Sequence, residues 1–447
     1  MLSRRGFIRA GAATVGTLAL RPFGLLPAMA QSSAGYRALV CVFLFGGNDS
    51  NNTVIPMDDA SFQAYTAIRG SLALSSSELT ATMYSASNAP YAFHGKLAEL
   101  ASLFSSKQLA VVANTGSLVQ PLTRAQYQGL QAPVPLNLFS HSDQQLQWQT
   151  SVAQGNSPTG WAGRAADYLA SQKINSSSFP AFLSVAGNAL EGRGADTQPV
   201  AIAPGQSLSL KGLGNSKASQ ARSNSLTTLL TSDNGLSLVQ AANSTMANSI
   251  ADAAALEAAL AKTTPLQTQF PSTSLGAQLQ QVAQIIQVQS YLGMSRQIFF
   301  CSLGGFDTHA AELETHNDLY PQLSQALAAF YDATGELGMA DSVTTFTESD
   351  FSRTFQPTTA DGSDHAWGSH HVVLGGAVKG GQIYGQFPAF ELGGANDTDT
   401  RGRWIPTTSI DQYGATLCAW FGIPDSALAG VFPNLANFQA PNLGFLG

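Results

Sequence analysis

The sequence has few charges and no concentration of positive charge. Lys, Arg, Asp and Glu make up only 11% of its 447 residues, whereas globular domains usually carry about a quarter. The formal net charge is −7, and no cluster of Lys and Arg is available to neutralise phosphates, which argues against a nucleic-acid partner. Ser, Thr, Asn, Gln and Gly supply the polarity instead, a composition that is common in exported proteins.

Cysteine is scarce, and the three cysteines are far apart. Cys41, Cys301 and Cys418 each lie in an apolar segment, so we predict three buried side chains that behave as small hydrophobic residues. No pair has CxxC spacing, which leaves a zinc–thiolate site unsupported. A disulfide between Cys41 and Cys301 is possible if their strands are neighbours.

Several catalytic motifs are also absent. The sequence contains no GxSxG elbow, no GxGxxG fingerprint, no P-loop and no HExxH, so it offers none of the hydrolase, nucleotide-binding or protease sites that these motifs build. The glycine pairs of "LGGAVKGG" are therefore predicted to form tight turns.

The first thirty residues have the features of an export signal. "SRRGFIR" closely resembles the twin-arginine signal, with Arg4 and Arg5 followed by a large apolar residue two positions on, and "AMA" predicts cleavage after Ala30. An Arg-Pro pair interrupts an apolar run that is already too short to span a bilayer, so we expect no stable membrane anchor. The prediction is a periplasmic or secreted protein that uses the twin-arginine export machinery.

Short apolar segments alternate with segments of helical spacing in the rest of the chain. This alternation predicts an α/β fold with a mostly parallel sheet flanked by helices. We expect a single domain over residues 31–447, with a Ser-, Asn- and Gln-rich helical insertion at about 190–290. The predicted strands are 36–47, 109–116, 179–187, 297–305 and 342–351, and the main predicted helices are 94–108, 160–172, 319–338 and 409–422.

Three predicted strands end in an aspartate. "LVCVFLFGGND" ends in Asp49, "IFFCSLGGFD" ends in Asp307, and "VTTFTESD" ends in Asp350. Ligands of open α/β sheets bind at the carboxyl ends of the strands, so we expect the three carboxylates at one edge. The glycine pairs before Asp49 and Asp307 suit a tight turn close to a ligand, and we predict that the two turns are halves of one metal site.

Histidine is concentrated near two of these aspartates. Five of the seven histidines fall within 63 residues, and the loop "DGSDHAWGSHHVVLGG" adds a carboxylate. Imidazoles combined with carboxylates suit zinc, manganese or a related divalent ion, in one or two copies. We predict that His316, on a predicted helix, is a surface residue or a hydrogen-bonded core residue and not a ligand. The candidate ligands from this region are His309, Asp364, His365, His370 and His371.

The order of these elements resembles the alkaline phosphatase and sulfatase superfamily. The signal together with "GGNDSNNTVIP", "GWAGRAADYL", "GGFDTH", "FTESDFSRT" and "DHAWGSHHVVLGGAVKGG" more closely resembles an exported bacterial family catalogued as domain of unknown function 1501. This resemblance covers nearly the whole mature chain. It implies the superfamily's α/β fold and a metal site, but no assigned substrate.

The superfamily pattern implies a role for each strand-end residue. Asp49 would be the ligand after the first strand, and Asp307 with His309 would match the later Asp-and-His pair, although their spacing is shorter than usual. Asp350 would stand where an Asp-His dipeptide is normally found, but Phe351 replaces that histidine.

Histidines of the following loop are candidates to fill that position. His365 and one of His370 or His371 would do so, with Asp364 beside them. The departures from the superfamily pattern leave the number of metal ions open.

The resemblance also implies a nucleophile, and Arg353 in "DFSRT" is a separate candidate for binding an anion. The superfamily places its nucleophile at a helix N-terminus, which Ser140 fits, with His141 and Asp143 beside it and Ser142 as a competitor. The alternative for Ser140 is a helix cap without chemistry. Arg353 would bind the substrate anion through two N–H groups, or form a surface salt bridge.

The sequence therefore predicts an exported metal-dependent hydrolase of phosphate or sulfate esters. Its substrate would be a small anionic ester or a sulfated or phosphorylated glycan. The alternative is a non-catalytic periplasmic binding or assembly protein that retains the metal-site fold.

Overall fold

The computed structural model describes residues 35–206, 208, 210, 212–213, 216–232 and 235–447. The predicted export signal lies outside these ranges. Within them, Arg37–Gly447 forms one compact unit. The strands are β1 (Arg37–Phe45), β2 (Val54–Pro56), β3 (Met83–Tyr84), β4 (Pro90–Phe93), β5 (Leu109–Gly116), β6 (Phe182–Ser184), β7 (Val200–Ala201), β8 (Arg296–Gly304), β9 (Val343–Ser349), β10 (Ser369–Leu374), β11 (Ile383–Gly385) and β12 (Thr408–Ser409).

Helices connect most of these strands. The longest described helix is α9, which begins at Glu312, seven residues before the predicted start at residue 319. The α-helices are α1 (Asp59–Arg69), α2 (Ala98–Ser105), α3 (Arg124–Gln128), α4 (His141–Thr150), α5 (Trp161–Ser171), α6 (Lys217–Thr231), α7 (Ser237–Leu260), α8 (Ser274–Gln287), α9 (Glu312–Glu336), α10 (Ile410–Phe421) and α11 (Asp425–Val431).

One large sheet forms the centre of the unit. Its strand order is β11-β5-β10-β9-β1-β8-β6-β7, with β12 beside β5. Neighbouring strands run parallel, except that β10 is antiparallel to both β5 and β9. Helices α5, α8 and α10 contact strands of this sheet. The predicted α/β fold with a mostly parallel sheet is confirmed.

The central strand β1 shows why its sequence is apolar without interruption. It lies between β8 and β9 in parallel register, and the side chains from Ala38 to Leu44 are at most 3% exposed. A strand covered on both faces needs apolar residues at consecutive positions. The three cysteines are buried, as predicted, and all are free.

Strand β10 is the main element that the sequence analysis missed. The segment was predicted to be a Gly-, Asp- and His-rich loop, but Ser369–Leu374 forms a strand between β5 and β9 that is buried along its whole length. The β-branched residues of "SHHVVL" suit a strand. His370 and His371 were instead predicted to be metal ligands in a loop, because histidine is a common ligand.

Three helices occupy the segment predicted to be a helical insertion. Helices α6, α7 and α8 lie between β7 and β8, and α8 packs against both β8 and α9. The buried face of α8 includes Leu279, Val282 and Ile286. Among the residues that the structure describes, no helix combines the length and the apolar character needed to cross a bilayer.

Candidate metal centre

The carboxyl ends of β9, β1 and β8 meet at one edge, because these strands are adjacent and parallel. Asp350 follows β9 directly, Gly46 and Gly47 follow β1, and Asp307 lies three residues beyond β8. Asp307 and Asp350 therefore lie at the same edge of the sheet, the edge at which open α/β sheets bind their ligands.

The two glycine turns pack against each other and against Arg353. The Nη2 atom of Arg353 donates to Gly46 O at 2.7 Å and to Phe306 O at 3.0 Å, and its Nε donates to Gly47 O at 3.0 Å. The same guanidinium forms an ion pair with the Asp307 carboxylate. This fully buried arginine thus joins the turn after β1 to the turn after β8.

Glycine is required at the first turn by conformation and by space. Gly46 has φ +111° and Gly47 has φ +81°, which other residues rarely adopt. A Cβ atom on Gly46 would lie 2.5 Å from Asp307 N, and one on Gly47 would lie 2.4 Å from the Phe351 ring. The similarity between "FGGND" and "LGGFD" thus reflects two turns that share Arg353.

Three histidines and Asp307 converge beyond these turns. The Nε2 atom of His365 lies 3.1 Å from Nε2 of His141 and 2.9 Å from Nε2 of His309. The Oδ1 atom of Asp307 lies 3.4, 3.1 and 3.6 Å from the Nε2 atoms of His141, His309 and His365, respectively. We call these four residues the edge cluster.

The other ring nitrogen of each histidine has its own partner. Nδ1 of His141 lies 2.7 Å from Asp350 Oδ2, Nδ1 of His309 lies 3.3 Å from Asp364 Oδ1, and Nδ1 of His365 lies 2.7 Å from Phe139 O. Carboxylate and carbonyl oxygens only accept hydrogen bonds, so each Nδ1 carries the proton. In the neutral ring, each Nε2 then presents a lone pair to the same space.

Several contacts hold these partners in place. Gln145 donates to Asp350 Oδ2 at 2.7 Å, and the backbone N–H of Gly46 donates to Asp350 Oδ1 at 3.2 Å. Phe139 has φ 70°, an uncommon conformation for a bulky residue, and directs its carbonyl to His365. Arg401 donates to Asp364 Oδ2 at 2.5 Å.

Hydrogen bonds, ion pairs and burial shift the pKa values of His141, Asp307 and His365. The hydrogen bond that His141 Nδ1 donates to Asp350 raises the pKa of His141, whereas burial lowers the pKa of His365. Burial alone would raise the pKa of Asp307, but its hydrogen bond and ion pair with Arg353 hold it below the usual range. The cluster thus contains an ionised carboxylate beside imidazoles with different proton affinities.

The donor set of the edge cluster fits a divalent cation. Lone pairs about 3 Å apart repel each other unless a proton or a cation lies between them, and the Nε2 atom of His365 faces two such neighbours. Four ligands bound to zinc at about 2.0–2.1 Å are roughly 3.3 Å from one another in tetrahedral geometry. Five of the six donor separations, all except that between His141 and His309, are 2.9–3.6 Å and therefore close to that value.

The predicted ligands fall into three groups. Asp307, His309 and His365 lie in the edge cluster. Asp350 and Asp364 bind histidines of the cluster through hydrogen bonds, as residues that orient metal ligands do. The remaining three, Asp49, His370 and His371, lie elsewhere.

Asp49 belongs to a separate buried cluster, which corrects the expectation that it shares a centre with Asp307. Its carboxylate forms an ion pair with Arg69, which also pairs with Glu312 at 3.3 Å. His316 completes this group, which we call the inner cluster. Burial alone would raise the pKa of Asp49, but Arg69 lowers it. An internal guanidinium thus stands beside Asp49.

His370 and His371 are packed inside the fold on strand β10. Nδ1 of His370 accepts from the backbone N–H of Asn114 at 2.9 Å, and the His371 ring packs against Trp148 and Tyr413. Burial lowers the pKa of each to about 3, so both are neutral. The expectation that one of them fills the vacant ligand position is corrected, because both belong to a buried strand.

The two predicted catalytic residues have different surroundings. Ser140 precedes α4, and its Oγ donates to Asp143 Oδ2 at 2.5 Å and lies 3.2 Å from Ser142 Oγ. Arg353 is fully buried and binds the carbonyls of the glycine turns, so neither a surface salt bridge nor an open anion clamp describes it.

His141 is a candidate metal ligand that the sequence analysis did not assign. It was noted only as a neighbour of Ser140, yet it is the first residue of α4 and its Nε2 enters the edge cluster. Phe351 packs against the rings of His141 and His365, at centroid distances of 4.7 and 4.9 Å. The available signal was the single histidine of "FSHSDQQ", which lies outside the His-rich region.

A family model and several solved structures match this chain. The model of a family described as "Protein of unknown function (DUF1501)" matches residues 36–409, which confirms the resemblance found in the sequence. None of the curated proteins matches.

The solved structures are similar at low sequence identity. Ps i-CgsB in complex with k-i-k-neocarrahexaose has 9% identity and a TM-score of 0.36, covering 91% of this chain and 77% of that chain. The PsFucS1 sulfatase from Pseudoalteromonas sp. has 9% identity and a TM-score of 0.34, with 90% and 70% covered. The phosphonate monoester hydrolase of Agrobacterium radiobacter has 9% identity and a TM-score of 0.31, with 87% and 74% covered. The fold assignment rests on the sheet topology described above.

Proposed function

We propose that this chain, which belongs to the DUF1501 family, is an exported metal-dependent hydrolase of phosphate or sulfate esters. The observation that carries the proposal is the convergence of three Nε2 atoms and one carboxylate oxygen, with every Nδ1 atom already bound to an acceptor. His141, Asp307, His309 and His365 would hold one divalent ion.

Zinc suits this donor set best. Imidazole nitrogens favour zinc among the available divalent ions, whereas manganese prefers sites dominated by oxygen. A bound divalent ion would polarise an ester oxygen and favour the deprotonated form of a nearby water. Asp350, Asp364 and the Phe139 carbonyl would keep the three rings in the ligating tautomer.

An anionic substrate suits the surroundings of the cluster. Arg401 is 31% exposed and binds Asp364, and Arg403 donates to the carbonyl of His365 at 2.8 Å. Arg403 also pairs with Asp399, and the two guanidinium groups would bind a phosphate or sulfate group through their remaining N–H groups. A small anionic ester, or a sulfated or phosphorylated glycan, is the substrate class that we propose.

Water is the proposed nucleophile. The Ser140 hydroxyl is bound to Asp143 on its own helix, whereas His141, the next residue, enters the cluster. Ser140→Ala should therefore retain most of the turnover of the wild type. A loss of turnover at unchanged zinc content would identify Ser140 as the nucleophile instead.

Export through the twin-arginine pathway completes the proposal, since "SRRGFIR" lies ahead of the domain. Changing both Arg4 and Arg5 to Lys should leave the precursor in the cytoplasm, measured by fractionation and immunoblotting. Delivery to the periplasm at the wild-type level would contradict this route.

Turnover of aryl phosphates and aryl sulfates tests the enzymatic claim. Zinc-loaded protein should hydrolyse at least one class, and His365→Ala should abolish that activity while the exposed-site control Glu314→Gln retains it. Stoichiometric zinc without turnover of either class would favour the alternative, a non-catalytic periplasmic binding or assembly protein. Phe351 stands where the superfamily pattern has a histidine, and it packs against two cluster histidines without offering a ligand atom. This observation favours the alternative.

A further inference from the structure

Two separate loops carry three of the four residues of the edge cluster. Asp307 and His309 lie in the loop between β8 and α9, and His365 lies in the loop between β9 and β10. A ligand set divided between two loops keeps its geometry only if the loops are fixed to each other, because ligand positions must be held within about 0.5 Å.

The backbones of these loops are in close contact. Ser363 N donates to Thr308 O at 3.0 Å, and a Cβ atom on Gly362 would lie 2.2 Å from the carbonyl carbon of His309. The backbones of the two loops therefore pack directly against each other, within a few residues of the ligands.

A single carboxylate oxygen joins the two loops from inside the fold. Oε2 of Glu312 accepts from Thr308 Oγ1 at 2.9 Å and also accepts from Ser363 Oγ. Thr308 lies between Asp307 and His309, and Ser363 lies two residues before His365. Each hydroxyl is thus within two residues of a ligand on its own loop.

The other oxygen of Glu312 connects this contact to the inner cluster. Oε1 accepts from Arg69 Nη2 at 3.3 Å, and Glu312 and Arg69 are both fully buried. Arg69 also donates to the carbonyls of Thr354 and Phe355 at 3.2 Å. The position of Glu312 is therefore set by the core and not by solvent.

We infer that Glu312 is a positioning residue for the metal centre: through Thr308 and Ser363 it sets the separation of the two ligand loops and thereby the affinity for the divalent ion. This role rests on the metal centre proposed above. Groups that orient metal ligands typically change metal affinity by about 10–100-fold when they are removed.

Two conservative variants test this role without leaving a charge unpaired in the core. Thr308→Val and Ser363→Ala each remove one hydroxyl that donates to Glu312. We expect each to weaken Zn²⁺ binding about tenfold or more, measured by competition with a chromogenic chelator, and to alter the visible absorption of bound Co²⁺. Thr315→Val is the matched control, because its hydroxyl bonds only to the Ala311 carbonyl of the preceding turn.

The outcomes separate this role from the proposed centre and from a general loss of fold. Unfolding midpoints of the metal-free variants close to that of the wild type, together with weakened Zn²⁺ binding and a changed Co²⁺ spectrum, would support the inference. If the wild type binds Zn²⁺ and both variants keep the wild-type Zn²⁺ affinity and Co²⁺ spectrum, the positioning role of Glu312 is overturned while the proposed metal centre stands. A wild type that binds neither ion would overturn the metal centre and this role together.

Discussion

The edge cluster and the inner cluster contain similar residue types but differ in their charges and exposure. Each brings carboxylates and imidazoles together at ligand-like distances. The inner cluster is fully buried and contains Arg69, which pairs with Asp49 and Glu312. The edge cluster is open, with side chains 26–51% exposed, and Nε2 of His365 faces the Nε2 atoms of both His141 and His309.

The difference shows that residue type alone does not define a metal site. Where the chain supplies its own buried cation, the carboxylates are neutralised within the fold. An external ion then gains little electrostatic attraction there and has no route from solvent. Where the donors face solvent and their second nitrogens are already bound, an external cation removes the repulsion between the lone pairs. Arg69 and the edge histidines should therefore respond to mutation in different ways.

Loss of the internal cation should have the largest effect on stability. Arg69→Met leaves Asp49 buried beside an unpaired Glu312, and breaking a buried pair costs about 3–5 kcal/mol. Urea unfolding of metal-free protein measures this loss, with Lys262→Met at an exposed position as the control. A loss of less than about 1 kcal/mol, the usual value for surface pairs, would show that the inner cluster does not depend on its guanidinium.

The glycine turn between the clusters should tolerate no side chain. Gly47→Ala places a Cβ atom 2.4 Å from the Phe351 ring at a φ of +81°, and a strained backbone conformation costs about 1–3 kcal/mol. Phe351 packs on His141, so zinc affinity should fall as well.

The last residue of β8 gives a matched control for this substitution. A Cβ atom on Gly304 meets nothing within 4 Å, so Gly304→Ala should change stability by no more than about 0.5 kcal/mol. Equal losses of unfolding free energy in the two variants would contradict the packing account.

The smallest expected effect is a pH dependence that differs between metal-free and zinc-bound protein. Asp350 raises the pKa of His141, so the protonated ring is the form that the fold stabilises. In metal-free protein this contribution is complete below the ordinary pKa of about 6.5 and is lost as the pH rises through the raised pKa. Zinc requires the neutral ring, so zinc affinity should increase over the same interval.

An Asp350→Asn variant tests that assignment. It should lower the pKa of His141, measured by NMR titration of the metal-free protein, and shift the rise in zinc affinity to lower pH. Asp341→Asn, at an exposed position, is the control. An unchanged His141 titration in Asp350→Asn would show that another group raises its pKa.

The sequence predicted the fold and part of the site, for reasons that specific residues explain. Apolar strands that end in Asp307 and Asp350 predicted the parallel sheet and the edge that carries the candidate site, because strand burial and strand ends are local properties. Asp49 has the same local pattern, but its partner Arg69 comes from α1, and that pairing depends on tertiary packing.

Histidine was the less reliable guide. His370 and His371 are adjacent in the sequence, yet they lie on a strand buried on both faces, and only the placement of β10 between β5 and β9 decides this. His141 lies more than 150 residues from the other cluster histidines and was therefore not grouped with them. Spatial convergence across the sheet edge could not be read from spacing along the chain.

Zinc stoichiometry tests the central claim most directly. Protein purified without chelator and then dialysed against excess Zn²⁺ should contain one ion per chain by elemental analysis. A His141→Ala, His365→Ala double variant should contain none, while the exposed-position control Lys262→Met retains it. A wild type without zinc, or a double variant that still contains one ion per chain, would contradict the assignment of the edge cluster as the metal centre.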